Sequence, residues 1–285
     1  MKQTHRHSRA VIPLVVTGAV LIFVFGVAAP AFSATFGGLA APASTPTPNP
    51  GDVIPLASMA GLTSLNATVQ LQVNGLINGQ RAQGDLNARL ATNDQGASRI
   101  TVTGSLLGEI AAQVGGSLVG LFTPSSVDIY KVPDGTYIVV NSLVPVCVKP
   151  ASLNATAPLD EMSPVSLLSM LTSSDVARGK LIGQETLNGK TVKHYVLDGD
   201  AFLAAAQAST DPKLQAFGES LWSADDADLY VDVKTGLPVA FRGIYSGAYE
   251  PLQFEGDFAV QIDLTGVNTN PPVSLPASCG KPISR

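Results

Sequence analysis

The sequence predicts an α+β fold: one curved antiparallel sheet of about ten strands, with a few helices packed on its concave side. Three observations carry this. From Leu65 onward, segments that alternate apolar and polar residues with period two follow one another. Turn dipeptides stand between neighbouring segments and join sequential strands as hairpins. Helical spacing is confined to three stretches between Ser163 and Trp222.

The chain begins with Lys2, Arg6 and Arg9 and has no acidic residue before Asp52. An apolar run from Ala10 to Phe32 follows, and Ala31-Phe32-Ser33 fits a small-x-small cleavage site. The run exceeds the roughly 7–15 residues of a signal core and approaches the roughly 20 that span a bilayer. Residues 1–33 are therefore read as a signal peptide or an N-terminal membrane anchor. Either one exports the remainder and keeps the basic end inside. Residues 34–52, rich in Ala, Pro, Ser and Thr, cannot bury a core and read as a flexible tether. Residues 53–285 suffice for one domain of ordinary size.

Without the three leader cations the chain holds 14 Lys and Arg against 22 Asp and Glu, a net charge of −8. That balance excludes nucleic acid as a partner and disfavours anionic lipid headgroups. Only 14% of the residues are charged and 45% are hydrophobic, so much apolar surface must be buried, around a cavity as well as in a core.

The strands come in order. Leu65, Ala67, Val69, Leu71 and Val73 alternate with Asn66, Thr68, Gln70, Gln72 and Asn74. Asn78-Gly79 turns the chain into a partner carrying Leu86, Ala88 and Leu90. Ile100, Val102, Gly104 and Leu106 form a third strand, and Val127 to Tyr130 and Tyr137 to Val140 flank Asp134-Gly135. Asn188-Gly189 joins the arms of a hairpin from Lys180 to Asp198, and Thr235-Gly236 joins those of another from Leu229 to Gly243. A last strand runs from Gln253 to Thr265. Among the helices, Ser163-Pro164 supplies an N-cap and first-turn proline ahead of Leu167, Leu168 and Leu171. Asp200 to Ala208 is alanine-rich, and Thr210-Asp211-Pro212 opens a helix expected to carry Leu214, Phe217, Leu221 and Trp222.

The two later hairpins, GQETLNGKTVKHYVLDG and DLYVDVKTGLPVAFRG, resemble the LolA-like and LppX/LprG-like family of bacterial envelope proteins. In order of elements the resemblance extends from about Leu65 to Thr265. It implies a half-open β-barrel with helices in the concave mouth and a lipid or lipoprotein acyl chain as ligand. The leader contains no cysteine and so departs from the acylated lipoproteins of the LppX/LprG side. The expected location is the extracellular face of the cytoplasmic membrane or the periplasm, with the chain anchored or secreted. The expected partners are the acyl ligand, the membrane if the leader stays uncleaved, and an envelope protein.

The stretch LLGEIAAQVGGSLVGLF, residues 106–122, is apolar, glycine-rich and holds one charge. It is either a plug in the core or a mobile apolar flap at a cavity mouth. On the flap reading, the ligand-binding residues are Leu106, Leu107, Ile110, Val114, Leu118, Leu121 and Phe122, with Leu167, Leu168 and Leu171 from the first helix. Cys147 and Cys279 are the two cysteines, and in an exported chain their default is a disulfide.

Chemistry of catalysis is not legible. His194 is the one histidine outside the leader, and no serine stands in a G-x-S-x-G elbow. No P-loop, H-E-x-x-H or dinucleotide fingerprint occurs. Asp225, Asp226, Asp228 and Asp232 lack the spacing of a calcium loop and read as a solvated strand cap. The expectation is a non-enzyme with no cofactor and no metal: an exported carrier, or a structural or sensory protein that docks a partner with the same half-barrel. The sequons Asn66-Ala67-Thr68 and Asn154-Ala155-Thr156 are set aside because the resemblance is bacterial.

Overall fold

The computed structural model describes residues 51–59, 62–77, 79–107, 124–143, 145–149, 164–249, 254–280 and 283–284. Among them are fourteen strands of one sheet. In chain order these are β1 (Asp52–Val53), β2 (Leu65–Ile77), β3 (Gln80–Thr92), β4 (Ser98–Thr103), β5 (Ser126–Val132), β6 (Gly135–Asn141), β7 (Val146–Lys149), β8 (Arg178–Leu187), β9 (Lys190–Leu197), β10 (Leu221–Ala224), β11 (Ala227–Asp232), β12 (Pro238–Tyr249), β13 (Phe254–Val267) and β14 (Ile283–Ser284). Three helices accompany them: α1 (Pro164–Leu171), α2 (Gly199–Gln207) and α3 (Pro212–Ser220).

The sheet runs β1-β8-β9-β11-β12-β13-β2-β3-β4-β5-β6-β7-β14, with β10 paired to β12 off that path. Neighbours are antiparallel except β14, which runs parallel to β7. The end strands β1 and β14 do not meet, so the sheet stays open. Ten of the fourteen strands are those that alternation predicts. The other four, β1, β7, β10 and β14, have two to four residues each.

Local chemistry explains the turns. Asn188 (φ 50°) and Gly189 (φ 76°) both take the left-handed conformation that a tight β8–β9 hairpin needs. At β11–β12 the turn is longer than a dipeptide. Asp232 accepts from Lys234 N through its side chain and from Gly236 N through its carbonyl, so β11 ends there and Val233 is exposed. The helices start as expected from their caps. Asp198 accepts from Ala201 N ahead of α2, and Asp211 from Lys213 N and Leu214 N ahead of α3, with Pro212 in its first turn.

Two expectations are corrected. Leu221 and Trp222 lie in β10, not in the third helix, because the residue capping α3, Leu221, already has extended backbone (ψ 142°) and pairs with Gly247. The third strand stops at Thr103 and does not reach Leu106. Gly104 sits at φ 135°, and Ser105 bonds back to the Asp85 carboxylate through both N and Oγ. These bonds, the hydroxyl first, hold the Asp85 carboxyl below its usual range. A Cβ at Gly104 would strike the Asp85 carbonyl oxygen. Gly104→Ala is therefore expected to cost about 1–3 kcal/mol, the range for a residue forced into a sparsely allowed conformation. Gly79, at φ 74° with open space around it, supplies the control. Gly79→Ala should cost less in thermal unfolding, and equal losses would contradict the crowding.

The core splits in two. The larger cluster lies on the inner face of the sheet and includes residues from all three helices. The smaller lies on the opposite face of β5–β7, where Tyr130, Tyr137, Val139 and Cys147 meet Cys279, Val273 and Leu275 of the C-terminal tail. Asn270 guides that tail across the sheet end. Its N–H donates to Ser64 Oγ and its side-chain oxygen accepts from Asp94 N.

Candidate functional site

Period-two alternation sends one set of side chains from each strand to the inner face, and register aligns these sets into rows. One row crosses nine strands: Tyr195, Leu229, Phe241, Ile262, Val69, Ala88, Val102, Val127 and Val140. Beside it run Val260, Leu71 and Leu86, and then Tyr245, Phe258 and Val73. The inner face is thus an uninterrupted apolar floor. α1 lies over β2, while α2 and α3 lie over β10, with α3 also against β12.

Leu106, Leu107, Leu168 and Leu171, four of the residues proposed to line a ligand site, belong to this one cluster and are fully buried. Leu106 fills the gap above Gly84, whose absent Cβ would lie 2.8 Å from the Leu106 Cγ. The backbone of Leu167 belongs to α1. Ile110, Val114, Leu118, Leu121 and Phe122 lie outside the described residues.

Sequence reasoning missed the aromatic group at the centre of the floor. Tyr245 touches the rings of Phe202 (α2), Phe217 (α3) and Phe258, with centroids 5.8, 5.6 and 5.5 Å away. Its ring leans along β12 over Gly243, where a Cβ would come within 2.9 Å of the ring. The Tyr245 hydroxyl is buried and has no hydrogen-bond partner among the described residues. Burial alone pushes this phenol far above its ordinary range. The available signal was the spacing Phe241-x-Gly243-x-Tyr245, a small residue between two large ones on one face. A buried donor without an acceptor among the described residues is uncommon.

A groove of about 270 Å³ opens where residues 53–59 pass the end of α1; Ile54, Met59, Ser169, Thr172, Ala177 and Pro238 line part of it. It adjoins the apolar interior through Ile54 and Met59, which are members of the inner cluster.

The outer face is polar. His194 stacks on Tyr230 at 4.5 Å, and its Nε2 lies 2.6 Å from the Asp228 carboxylate. Arg242 covers Tyr230 at 4.9 Å and reaches Asp263 at 3.3 Å. His194 is thereby a structural residue of this face. Asp226 accepts from Gly199 N, and Asp232 caps the hairpin turn. No group of three or more His, Cys, Asp or Glu residues able to hold a metal occurs among the described residues. Cys147 and Cys279 are joined as a disulfide, in keeping with an exported chain.

No protein-family model and no curated protein matches the chain. Solved structures do. LprF from Mycobacterium bovis is 12% identical with a TM-score of 0.37, over 76% of this chain and 90% of that one. MucB is 15% identical with a TM-score of 0.27; the match covers 76% of this chain and 58% of that one. A putative outer membrane lipoprotein-sorting protein domain from Vibrio parahaemolyticus is 7% identical with a TM-score of 0.22, over 75% of this chain and 89% of that one. The open antiparallel sheet with helices over its inner face is itself the fold that the LolA-like and LppX/LprG-like resemblance implies.

Proposed function

We propose that this chain is an exported or membrane-tethered, non-enzymatic protein that binds a lipid or acyl chain, and that it serves as a carrier in the bacterial envelope. The observation that carries the reading is the apolar inner face, continuous across nine strands of a sheet that does not close. Apolar concave surfaces with few polar groups suit acyl chains, at about 0.8 kcal/mol for each methylene buried. The groove beside α1 offers a way in, and the Tyr245 hydroxyl offers a donor to an ester carbonyl. Residues 1–33 tether or export the domain and residues 34–52 give it reach. Residues 106–122 act as the flap, with Leu118 and Leu121 contributing burial to the ligand.

Native mass spectrometry of the purified protein, with extraction and identification of its lipids, tests the reading directly. A stoichiometric acyl species is expected, and a mass that never exceeds that of the bare polypeptide counts against it. In the same preparation, Leu118→Ser with Leu121→Ser should weaken binding of a fluorescent acyl probe. It should cost less stability than core truncations, which run to about 2–5 kcal/mol each. Amides of the flap should exchange fast in the empty protein and slowly in the loaded one. An unfolded double variant, or slow exchange in both states, would favour the core plug.

A further inference from the structure

Residues 54–59 form a strap between β1 and the chain that leads into β2. Main-chain bonds reach the strap from two sides. Ile54 N donates to the Ala177 carbonyl ahead of β8 at 2.9 Å, and Ala57 N to the Gly236 carbonyl in the β11–β12 turn at 2.8 Å. Gly236 leaves room for this approach, since a Cβ there would lie 3.4 Å from that of Ala57. Upstream, β1 pairs with β8 over two residues, Asp52 with Gly179 and Val53 with Arg178. Across the groove of about 270 Å³ the strap faces Ser169 of α1 and Thr172 just beyond it.

Ile54 and Met59 belong to two surroundings at once. Both line the groove, and both are buried members of the inner apolar cluster. The same two side chains therefore bound the groove and seal the interior at this point. Leu56 and Ala57 pack half-buried against the same cluster. Ser58, Ser169, Thr172 and Ser174 make much of the remaining lining hydroxyl-bearing, a poor surface for an acyl chain. The groove also falls short of the roughly 300–1,000 Å³ of ordinary ligand sites. Lifting Ile54 and Met59 would join it to the apolar floor as one passage. The attachments set where such an opening stops. A segment held by few backbone bonds opens at low free energy, whereas β2, thirteen residues long and paired on both sides, does not. We infer that residues 54–59 are a gate, which lifts as a unit from α1 and the β11–β12 turn to admit an acyl chain. This rests on the acyl-binding reading and specifies how that site is entered.

A cross-strand disulfide tests this. Ile54 and Ala177 are hydrogen-bonded to each other, so the preceding pair, Val53 and Arg178, is a non-hydrogen-bonded one. Its Cα atoms stand about 4.5 Å apart, within the roughly 4.4–6.8 Å of disulfides. Both side chains are exposed, so Val53→Cys with Arg178→Cys pins the gate at its start without touching the core. The full chain carrying that bond, stripped of lipid, should take up a fluorescent acyl probe about tenfold more slowly in stopped flow than either single-cysteine variant, alkylated so that it cannot form the bond. Hydrogen exchange supplies a readout that needs no ligand. In lipid-free parent the Ile54 and Ala57 amides should exchange about a hundredfold faster than those of β2, and the added bond should slow them. Exchange of both amides at the rate of β2, or equal uptake by the bonded and unbonded proteins, overturns the gate. Fast exchange with no uptake by any variant upholds its opening and counts against the acyl reading instead.

Discussion

Reduction of the Cys147–Cys279 bond, or replacement of both cysteines by alanine, is expected to lower the stability of the protein by about 4–5 kcal/mol. The bridge joins residues 132 apart in sequence, so it removes a long loop's worth of freedom from the unfolded chain. It also ties β7 to a tail that is otherwise held there by the two-residue β14 pairing and a small apolar cluster. β7 is a short strand near one end of the sheet, and the tail reaches it only after crossing the outer face. Without the bond, the contacts of Tyr130, Tyr137 and Val139 with Val273 and Leu275, the Asn270 hydrogen bonds and the two-residue pairing of β14 with β7 must hold the tail. Denaturant unfolding with and without reductant measures the difference. Alkylation of the unreduced, denatured protein should label neither cysteine. Labelling of both, or a midpoint that ignores reductant, would refute the structural role.

The bridge and the sheet differ in how far sequence alone reveals them. Ten strands were legible because each is long enough to show its period and is flanked by a turn with its own chemistry, as Asn188-Gly189 is. β10 was not, because four residues show no period. Leu221 and Trp222 also fit helical spacing after Leu214 and Phe217, and only their pairing with β12 makes them strand. β1, β7 and β14 are strands for the same reason: a neighbour already in place supplies their partners. Leu106 fitted the alternation of its strand until Gly104 and the Ser105–Asp85 bonds turned the chain away. Of the candidate site, Leu168 and Leu171 were legible from helical spacing and join the inner cluster. Tyr245 was not, because its importance comes from what three other segments place around it.

Tyr245→Phe is expected to raise stability at neutral pH by about 1–3 kcal/mol in protein stripped of lipid, the usual penalty of a buried hydroxyl without a partner. The ring remains, so its contacts with Phe202, Phe217 and Phe258 are kept and no ring-sized cavity opens. The same substitution should change the response to alkali. Burial raises the folded pKa of Tyr245 above its ordinary value of 10.0. Above that value the unfolded chain loses the phenol proton while the folded protein keeps it. The stability tied to this group is therefore complete below pH about 10 and falls as pH rises, by up to about 1.4 kcal/mol per unit. Tyr130 and Tyr230 are raised in the same direction, chiefly by desolvation, so the parent should lose stability to alkali through several groups at once. Those groups are common to both proteins and cancel in the difference. Between pH 10 and 12 the Phe variant should gain up to about 2 kcal/mol on the parent, beyond its lead at neutral pH. Urea unfolding at each pH measures this. A Phe variant that is less stable at pH 7 would mean that the hydroxyl has an acceptor.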